Sequence, residues 1–130
     1  MATWVRWSHE LLLVAQPVSV SEARAFVAQV LTEHGLVVLV DDVQMVVSEL
    51  ATNALVHART SFTVKLRTGL GQAVVLEVRD RSPSFPVIVA TGPLDITGRG
   101  IAIVDALSQA WGFEAHESGG KYVWAVFPTA

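Results

Sequence analysis

The chain has 130 residues, of which 52% are hydrophobic and 16% are charged, and its net charge at neutral pH is −3. This length suits one domain with a sizeable core, and the absence of cysteine excludes disulfides and thiolate metal sites. The nine basic residues are scattered along the sequence, so the clustered positive charge of a nucleic-acid-binding protein is missing.

The first predicted element is a strand over residues 3–14, which begins with rough alternation and ends in an apolar run. Arg6, His9 and Glu10 interrupt its apolar residues, and this pattern excludes a signal peptide. No window of the sequence is apolar for long enough to span a membrane. We therefore expect a cytoplasmic protein that forms one domain over residues 1–130.

Two helices are predicted next, because apolar residues recur at helical spacing in both segments. The first helix is expected to begin near residue 20 and to end at Gly35, and the second is expected to end at about Ala58. The side chains expected to cap their N-termini are Ser19 or Ser21 for the first helix and Asp41 or Asp42 for the second.

The second predicted helix carries the most informative pattern in the sequence. Glu49, Asn53 and His57 recur every four residues and form one row on the helix, while most residues between them are apolar. An unpaired buried polar group costs about 1–3 kcal/mol, and a bound polar ligand would supply partners. Carboxylate and carboxamide oxygens are also ligands that Mg²⁺ accepts. The alternatives are a solvated stripe or side chains satisfied within the protein.

The second half of the sequence predicts four strands and a short helix. The strands cover residues 62–68, 73–79, 110–116 and 122–127, the helix covers residues 101–107, and a loop runs from Asp80 to Gly100. A loop of about twenty residues inside a small domain is long enough to be functional. The order of elements predicts an α/β (α+β) two-layer sandwich, with one mixed, mostly antiparallel sheet and its helices on one face.

Four segments, taken in order, resemble the histidine-kinase-like ATPases of the Bergerat or GHKL fold, and most of all the small anti-sigma-factor serine/threonine kinases. Glu49–Ala58 resembles the N box of that family, Glu77–Pro83 its first glycine box, Gly98–Gly112 its second glycine box, and Gly119–Trp124 its terminal segment. The resemblance covers residues 20–128. A single box is unspecific, whereas four boxes in this order and at these separations are specific.

The resemblance implies ATP and Mg²⁺ as cofactors and gives three residues a role in using them. Asn53 would hold Mg²⁺ against the triphosphate, and Glu49 would act as general base or orient the attacking hydroxyl group. Asp80 would accept a hydrogen bond from the adenine amino group, which selects adenine over guanine. His57 is expected to have a structural role or to orient the end of the helix.

The second glycine box and the terminal segment are implied to contact the nucleotide as well. Gly98 and Gly100 would let backbone amides approach the phosphates, with a helix N-terminus at Ile101 directed at the negative charge. Arg99 would either pair with a phosphate oxygen or point to solvent. Lys121 would lie near the base and the phosphates.

Two positions depart from the pattern of the family. Asp80-Arg81-Ser82 stands where the family usually has Asp-x-Gly, and serine resists the positive φ that glycine permits. Tyr122 stands in place of a threonine whose hydroxyl group helps to hold adenine. Either the phenol substitutes for that hydroxyl group, or the ring crowds the base.

The resemblance implies an ATP-dependent protein serine/threonine kinase that acts as an anti-sigma factor in a partner-switching module. Its partners would be a small anti-anti-sigma protein of STAS type, which it phosphorylates, and a sigma factor, with no direct contact to nucleic acid or membrane. The alternative is a catalytically silent regulatory module of the same fold that sequesters a protein partner. Trp4 and Trp7 fit either a homodimer interface or the core.

Overall fold

The computed structural model describes residues 6–81, 96–115 and 119–129, which contain three α-helices and five strands. In chain order the elements are β1 (Ser8–Leu13), α1 (Val18–Glu33), α2 (Val40–Asn53), β2 (Phe62–Gly69), β3 (Ala73–Asp80), α3 (Ile96–Leu107), β4 (Ala110–Ala115) and β5 (Lys121–Pro128). A 3₁₀ turn over Val37–Leu39 precedes α2, and a π-helical turn over Ala54–Ala58 follows it. Within these ranges no helix has the length and apolar character needed to cross a membrane.

The five strands form one open sheet in the order β1-β2-β3-β5-β4, and each neighbouring pair is antiparallel. The predicted two-layer α+β sandwich is confirmed, and the described part of its sheet is antiparallel throughout. β3 and β5 are neighbours although α3 and β4 lie between them in sequence. This connection brings the last residue of β3 beside the first residue of β5, at one end of the sheet.

One face of the sheet packs against the helices, because successive residues of a strand point to opposite faces. Directly paired residues of antiparallel strands share a face, so the register defines that face across the sheet. Its buried strand residues are Leu13, Phe62, Val64, Leu66, Val74, Leu76, Val78, Ala125 and Phe127. The buried helical residues that complete the core are Ala23, Val27, Val30 and Leu31 of α1, Val43, Val46, Val47, Leu50 and Ala51 of α2, and Val104 of α3. The opposite face, away from the helices, carries the Arg67–Glu77 ion pair together with the buried apolar residues Ala73 and Val75.

Both helices begin earlier than predicted, and their N-caps differ from the predicted ones. Pro17 occupies the N-cap of α1, where its fixed φ suits the start of a helix and its missing N–H is not needed. The hydroxyl group of Ser19 instead donates to the carbonyl oxygen of Val14, at 2.7 Å. Asp41 and Asp42 lie in the first turn of α2, where their negative charge interacts favourably with the helix dipole. No side-chain hydrogen bond caps this helix.

Trp7 has a core role. Its indole stacks on the imidazole of His34 with 4.1 Å between ring centroids and 9° between ring planes, and it packs against the buried cluster. Trp4 lies outside the described residues. The homodimer and the single-domain organisation over residues 1–130 stay predictions.

The assignment of the sheet faces predicts very different costs for two identical substitutions. Leu76→Ala removes a side chain that is 0% exposed on the helix-facing side of β3, and we expect it to lower the free energy of unfolding by about 2–5 kcal/mol. Leu70→Ala truncates a turn residue that is 90% exposed, and its cost should stay within about 0.5 kcal/mol. Urea unfolding followed by circular dichroism measures both values. Equal costs would contradict the assignment.

Candidate functional site

The C-terminal end of α2 carries the first part of the candidate site. Asn53 is the last residue of α2, the π-helical turn begins at the next residue, and Arg59 ends it with a left-handed φ of 57°. A π-helical turn is wider than an α-helical one, so His57 does not continue the row of Glu49 and Asn53 as the sequence predicted. Glu49 and Asn53 are partly buried, and His57 is exposed. Turns of this kind occur often at functional sites.

The side chain of Asn53 has an unmet hydrogen-bonding capacity. Its Nδ2 is buried and has no hydrogen-bond partner among the residues that the structure describes. Such a group costs about 1–3 kcal/mol, and native proteins rarely keep one without a reason. A half-turn about χ2 exchanges the amide nitrogen and oxygen, so this position can offer a donor to an anion or an oxygen to a cation.

The described residues can contribute to a Mg²⁺ site of the kind that nucleotide-binding proteins use. They contain no group of three or more His, Asp or Glu side chains that would form a complete metal cage. Mg²⁺ is commonly bound through one or two protein oxygens, with phosphate oxygens and water completing its shell. The carboxamide of Asn53 can supply one such oxygen.

The second part of the site lies at the end of the sheet, where β3 and β5 meet. Asp80 is the last residue of β3 and pairs in register with Lys121, the first residue of β5, and with Phe62 of β2. All three side chains therefore belong to the helix-facing side of the sheet. Asp80 is 6% and Lys121 is 7% exposed, and Lys121 Nζ lies 3.1 Å from Oδ2 and 3.3 Å from Oδ1 of Asp80. The result is a buried ion pair.

A glycine makes this approach of the two strands possible. Gly120 has a φ of 82°, and a Cβ at this position would collide with the carbonyl oxygen of Asp80. The sequence pattern indicates Asp80 and Lys121 separately, and their contact was not predicted. The Gly119-Gly120 turn directly before Lys121 is the signal that could have revealed it, because it sets the register of β5.

The two parts of the site are connected through the packing of the fold. α2 and the π-helical turn both contact β3. The backbone N–H of Arg81 also donates to the hydroxyl oxygen of Thr60, at 3.2 Å, which ties the residue after β3 to the segment after the π-helical turn. Asn53 and Asp80 therefore belong to two elements that face each other across the boundary between helices and sheet.

The start of α3 differs from the prediction. The helix begins at Ile96 rather than Ile101, so the second glycine box forms its first turns. The amides that lack a partner within the helix are then the first four, which include those of Gly98 and Arg99. The N–H groups of Gly100 and Ile101 bond within the helix. Phosphate binding through this segment stays a prediction, while Ser82 and most of the predicted loop lie outside the described residues.

Tyr122 faces away from the ion pair. It pairs in register with Arg79 and Glu114, so its side chain belongs to the face of the sheet that points away from the helices, whereas Asp80 belongs to the helix-facing side. Its hydroxyl group donates to the Glu114 carboxylate, and this hydrogen bond raises the pKa of Tyr122 above its ordinary value of 10.0. In this arrangement the phenol neither substitutes for a base-holding threonine nor crowds a base beside Asp80.

The sequence and the fold both have known counterparts. Residues 13–127 match the sequence model of a family described as "Histidine kinase-like ATPase domain". No curated protein sequence matches the chain.

Two solved structures share the fold. The first contains the RsbU and RsbW domains of Rv1364c from Mycobacterium tuberculosis, with a TM-score of 0.69 and 19% identity over 94% of this chain and 32% of that one. This chain therefore spans about a third of the length of that protein. The second is the SiaB–SiaC complex from Pseudomonas aeruginosa, with a TM-score of 0.64 and 14% identity over 92% of this chain and 88% of that one. At identities this low, the structural similarity shows a common fold alone.

The hydrogen bond between Tyr122 and Glu114 predicts the pH at which the phenol of Tyr122 ionises. Tyr122 is the only tyrosine in the chain, so absorbance at 295 nm reports its ionisation alone. We expect the wild type to ionise above pH 10.0, and Glu114→Gln to lower that midpoint, because a neutral amide no longer opposes formation of the phenolate. An unchanged midpoint in Glu114→Gln would place the phenol elsewhere and contradict the register of β4 and β5. Glu10→Gln, on another strand, serves as the control.

Proposed function

Because the chain belongs to the histidine kinase-like ATPase domain family, we propose that it binds Mg²⁺-ATP between α2 and the end of β3 and transfers the γ-phosphoryl group to a protein serine or threonine. Membership in a family of ATPase domains implies ATP binding. The observation that supports the location is the Nδ2 of Asn53, which is buried without a hydrogen-bond partner among the described residues, at the end of a helix that contacts β3.

Each residue of the proposed site has a distinct task. Asn53 would supply a protein oxygen to Mg²⁺, and Asp80 would accept a hydrogen bond from the amino group of adenine. The backbone amides at the start of α3, Gly98 and Arg99 among them, would face phosphate oxygens, as helix N-termini do. When bound, Mg²⁺ neutralises charge that develops on the phosphate oxygens during transfer.

Glu49 is the proposed general base. Its carboxylate lies one helical turn before Asn53 and is partly buried. It would accept the proton of the attacking hydroxyl group while the oxygen of that group forms a bond to the γ-phosphorus and the bond from this phosphorus to the ADP oxygen breaks. A base positioned in this way typically contributes about 10²–10⁴-fold to the rate.

The proposed substrate is a small anti-anti-sigma protein of STAS type, and the second proposed partner is a sigma factor. The resemblance of the four boxes to small anti-sigma-factor kinases supports this assignment. A second line of support is that one structure of the same fold carries an RsbW domain, while another is a complex of two proteins, SiaB and SiaC. Phosphorylation of one partner would release this chain to hold the other, in the cytoplasm and without direct contact to DNA.

One observation favours a second candidate function, a catalytically silent module of the same fold that sequesters a protein partner. The carboxylate that would read adenine already contacts an ammonium group through both of its oxygens. If this ion pair keeps purines out, the fold remains but nucleotide binding is lost. Calorimetry at millimolar Mg²⁺-ATP separates the two candidates, because the silent module gives neither heat nor a shift in melting temperature.

The first prediction concerns Asn53. Because its Nδ2 has no partner among the described residues, Asn53→Ala should change the stability of the nucleotide-free protein by less than about 1 kcal/mol. The same variant should lose most of the increase in melting temperature that saturating Mg²⁺-ATP gives the wild type, because a ligand stabilises only the state that binds it. Differential scanning fluorimetry measures both effects.

The matched control is Ser48→Ala on the same helix. Ser48 accepts a hydrogen bond from Arg24 at 2.6 Å and donates one to the carbonyl oxygen of Gln44 at 2.8 Å, so its loss should cost about 1 kcal/mol. The nucleotide-induced shift should persist in this variant. The assignment of Asn53 fails if its alanine variant keeps the full shift.

The second prediction concerns phosphoryl transfer. With γ-labelled ATP and the STAS partner, Glu49→Gln should label the partner at least about a hundredfold more slowly than the wild type, yet keep its nucleotide-induced melting shift. Glu33→Gln changes an exposed carboxylate at the end of α1 and should leave the rate unchanged. Wild-type labelling no faster than that of Asn53→Ala would sink the kinase proposal and leave the silent module.

A further inference from the structure

Lys121 occupies a position that the fold itself does not require to be charged. Its side chain lies on the helix-facing side of the sheet, directly opposite Asp80 and diagonal to the core residue Val78. Burying an ammonium and a carboxylate together removes the hydration of both, and replacing such a pair by apolar residues is often neutral or stabilising. A ligand that uses both groups would explain why a donor and an acceptor stand here.

The hydrogen-bonding capacity of the pair defines that ligand. The ionised Asp80 carboxylate only accepts hydrogen bonds, and its two oxygens offer about four lone-pair positions. The Lys121 ammonium only donates and carries three hydrogens, and both of its described contacts go to this one carboxylate. A ligand that reached the pair would therefore meet an acceptor next to a donor. The complementary ligand has a donor next to an acceptor.

The geometry of the strands keeps this donor and acceptor together. The register of β3 and β5 fixes Asp80 opposite Lys121, and the left-handed Gly120 allows the backbone of β5 to approach the carbonyl group of Asp80. Tyr122 points to the other face, so Lys121 is the residue at the start of β5 that is available to a ligand on the helix side.

We propose that Lys121 is a specificity-determining residue that donates a hydrogen bond to the ring nitrogen N1 of adenine, while Asp80 accepts one from the neighbouring 6-amino group. This inference rests on the proposed function, because it requires ATP to bind beside Asp80. The two contacts read the whole base-pairing edge of adenine. A polar site of this kind strongly rejects a ligand that leaves one of its buried groups unpaired.

The test replaces one atom of the ligand and one side chain of the protein. In 1-deaza-ATP a C–H group replaces N1, so the acceptor for Lys121 is lost and the 6-amino group remains. Calorimetry should show that the wild type binds ATP about ten- to a hundredfold more tightly than 1-deaza-ATP, as expected for a hydrogen bond from a charged donor. In Lys121→Met the two nucleotides should bind equally well. 3-deaza-ATP, altered on the far side of the ring, is the control ligand.

A second pair of variants covers the case in which Lys121→Met does not fold because the Asp80 carboxylate remains buried without its ammonium. Asp80→Asn keeps a carbonyl oxygen for the 6-amino group and removes the charge. Asp80→Asn should retain the preference for ATP over 1-deaza-ATP, and the double variant Asp80→Asn/Lys121→Met should lose it. A purely structural role of Lys121 would change affinity for both nucleotides by the same factor.

The possible failures are distinguishable. If the wild type binds ATP and its preference over 1-deaza-ATP is absent, or is the same with methionine at position 121, this inference is overturned and the proposed function stands. If the wild type binds no nucleotide, the proposed function is overturned and the inference falls with it.

Discussion

The antiparallel pairing of β3 with β5 is the constraint on which the candidate site depends. These strands are distant in sequence, and their register places an acidic residue and a lysine opposite each other at the helix-facing end of the sheet. Both side chains are buried, so the two charges are removed from water together and their contact compensates part of that cost. A shift of β5 by one residue would move Lys121 to the face of the sheet away from the helices and bring Tyr122 beside Asp80.

The helical layer contributes the other half of the site through a local change of helix type. α2 gives way to a π-helical turn directly after Asn53, and the segment that follows is hydrogen-bonded to the end of β3 through Thr60 and Arg81. The apolar residues of α2 hold this helix on the sheet, while the buried Nδ2 of Asn53 has no hydrogen-bond partner within the part of the chain that the structure describes. The packed core thus holds in place a polar group that can form a hydrogen bond with a ligand.

Much of the fold could be predicted from the sequence, because alternation and helical spacing are local signals. Residues 62–68 alternate, a glycine turn follows, and residues 73–79 form a second strand-like run, and the hairpin of β2 and β3 follows this pattern closely. Helix boundaries were less predictable. Serine and aspartate compete with proline for N-cap positions, and the glycines at positions 98 and 100 indicated a loop although they lie in the first turns of α3. The π-helical turn was hidden because the apolar residues around it fit either helix type.

The candidate site was predictable as a set of residues but not as an arrangement. The resemblance to a family named Glu49, Asn53, Asp80 and Lys121, and periodicity placed the first two on a helix and the other two directly beside predicted strands. The Asp80–Lys121 contact and the orientation of Tyr122 depend on the register of strands that are far apart in sequence. The two glycines before Lys121 mark the place of a close approach in the sequence, but that β3 is the strand approached appears only in the folded chain.

The most direct test of the central claim is a crystal structure of the chain with Mg²⁺ and a non-hydrolysable ATP analogue. The account predicts a metal ion about 2.1 Å from the side-chain oxygen of Asn53 and bound to the phosphates, with the adenine amino group on the carboxylate of Asp80. A nucleotide bound elsewhere, or an Asn53 side chain that touches neither metal nor phosphate, would contradict it.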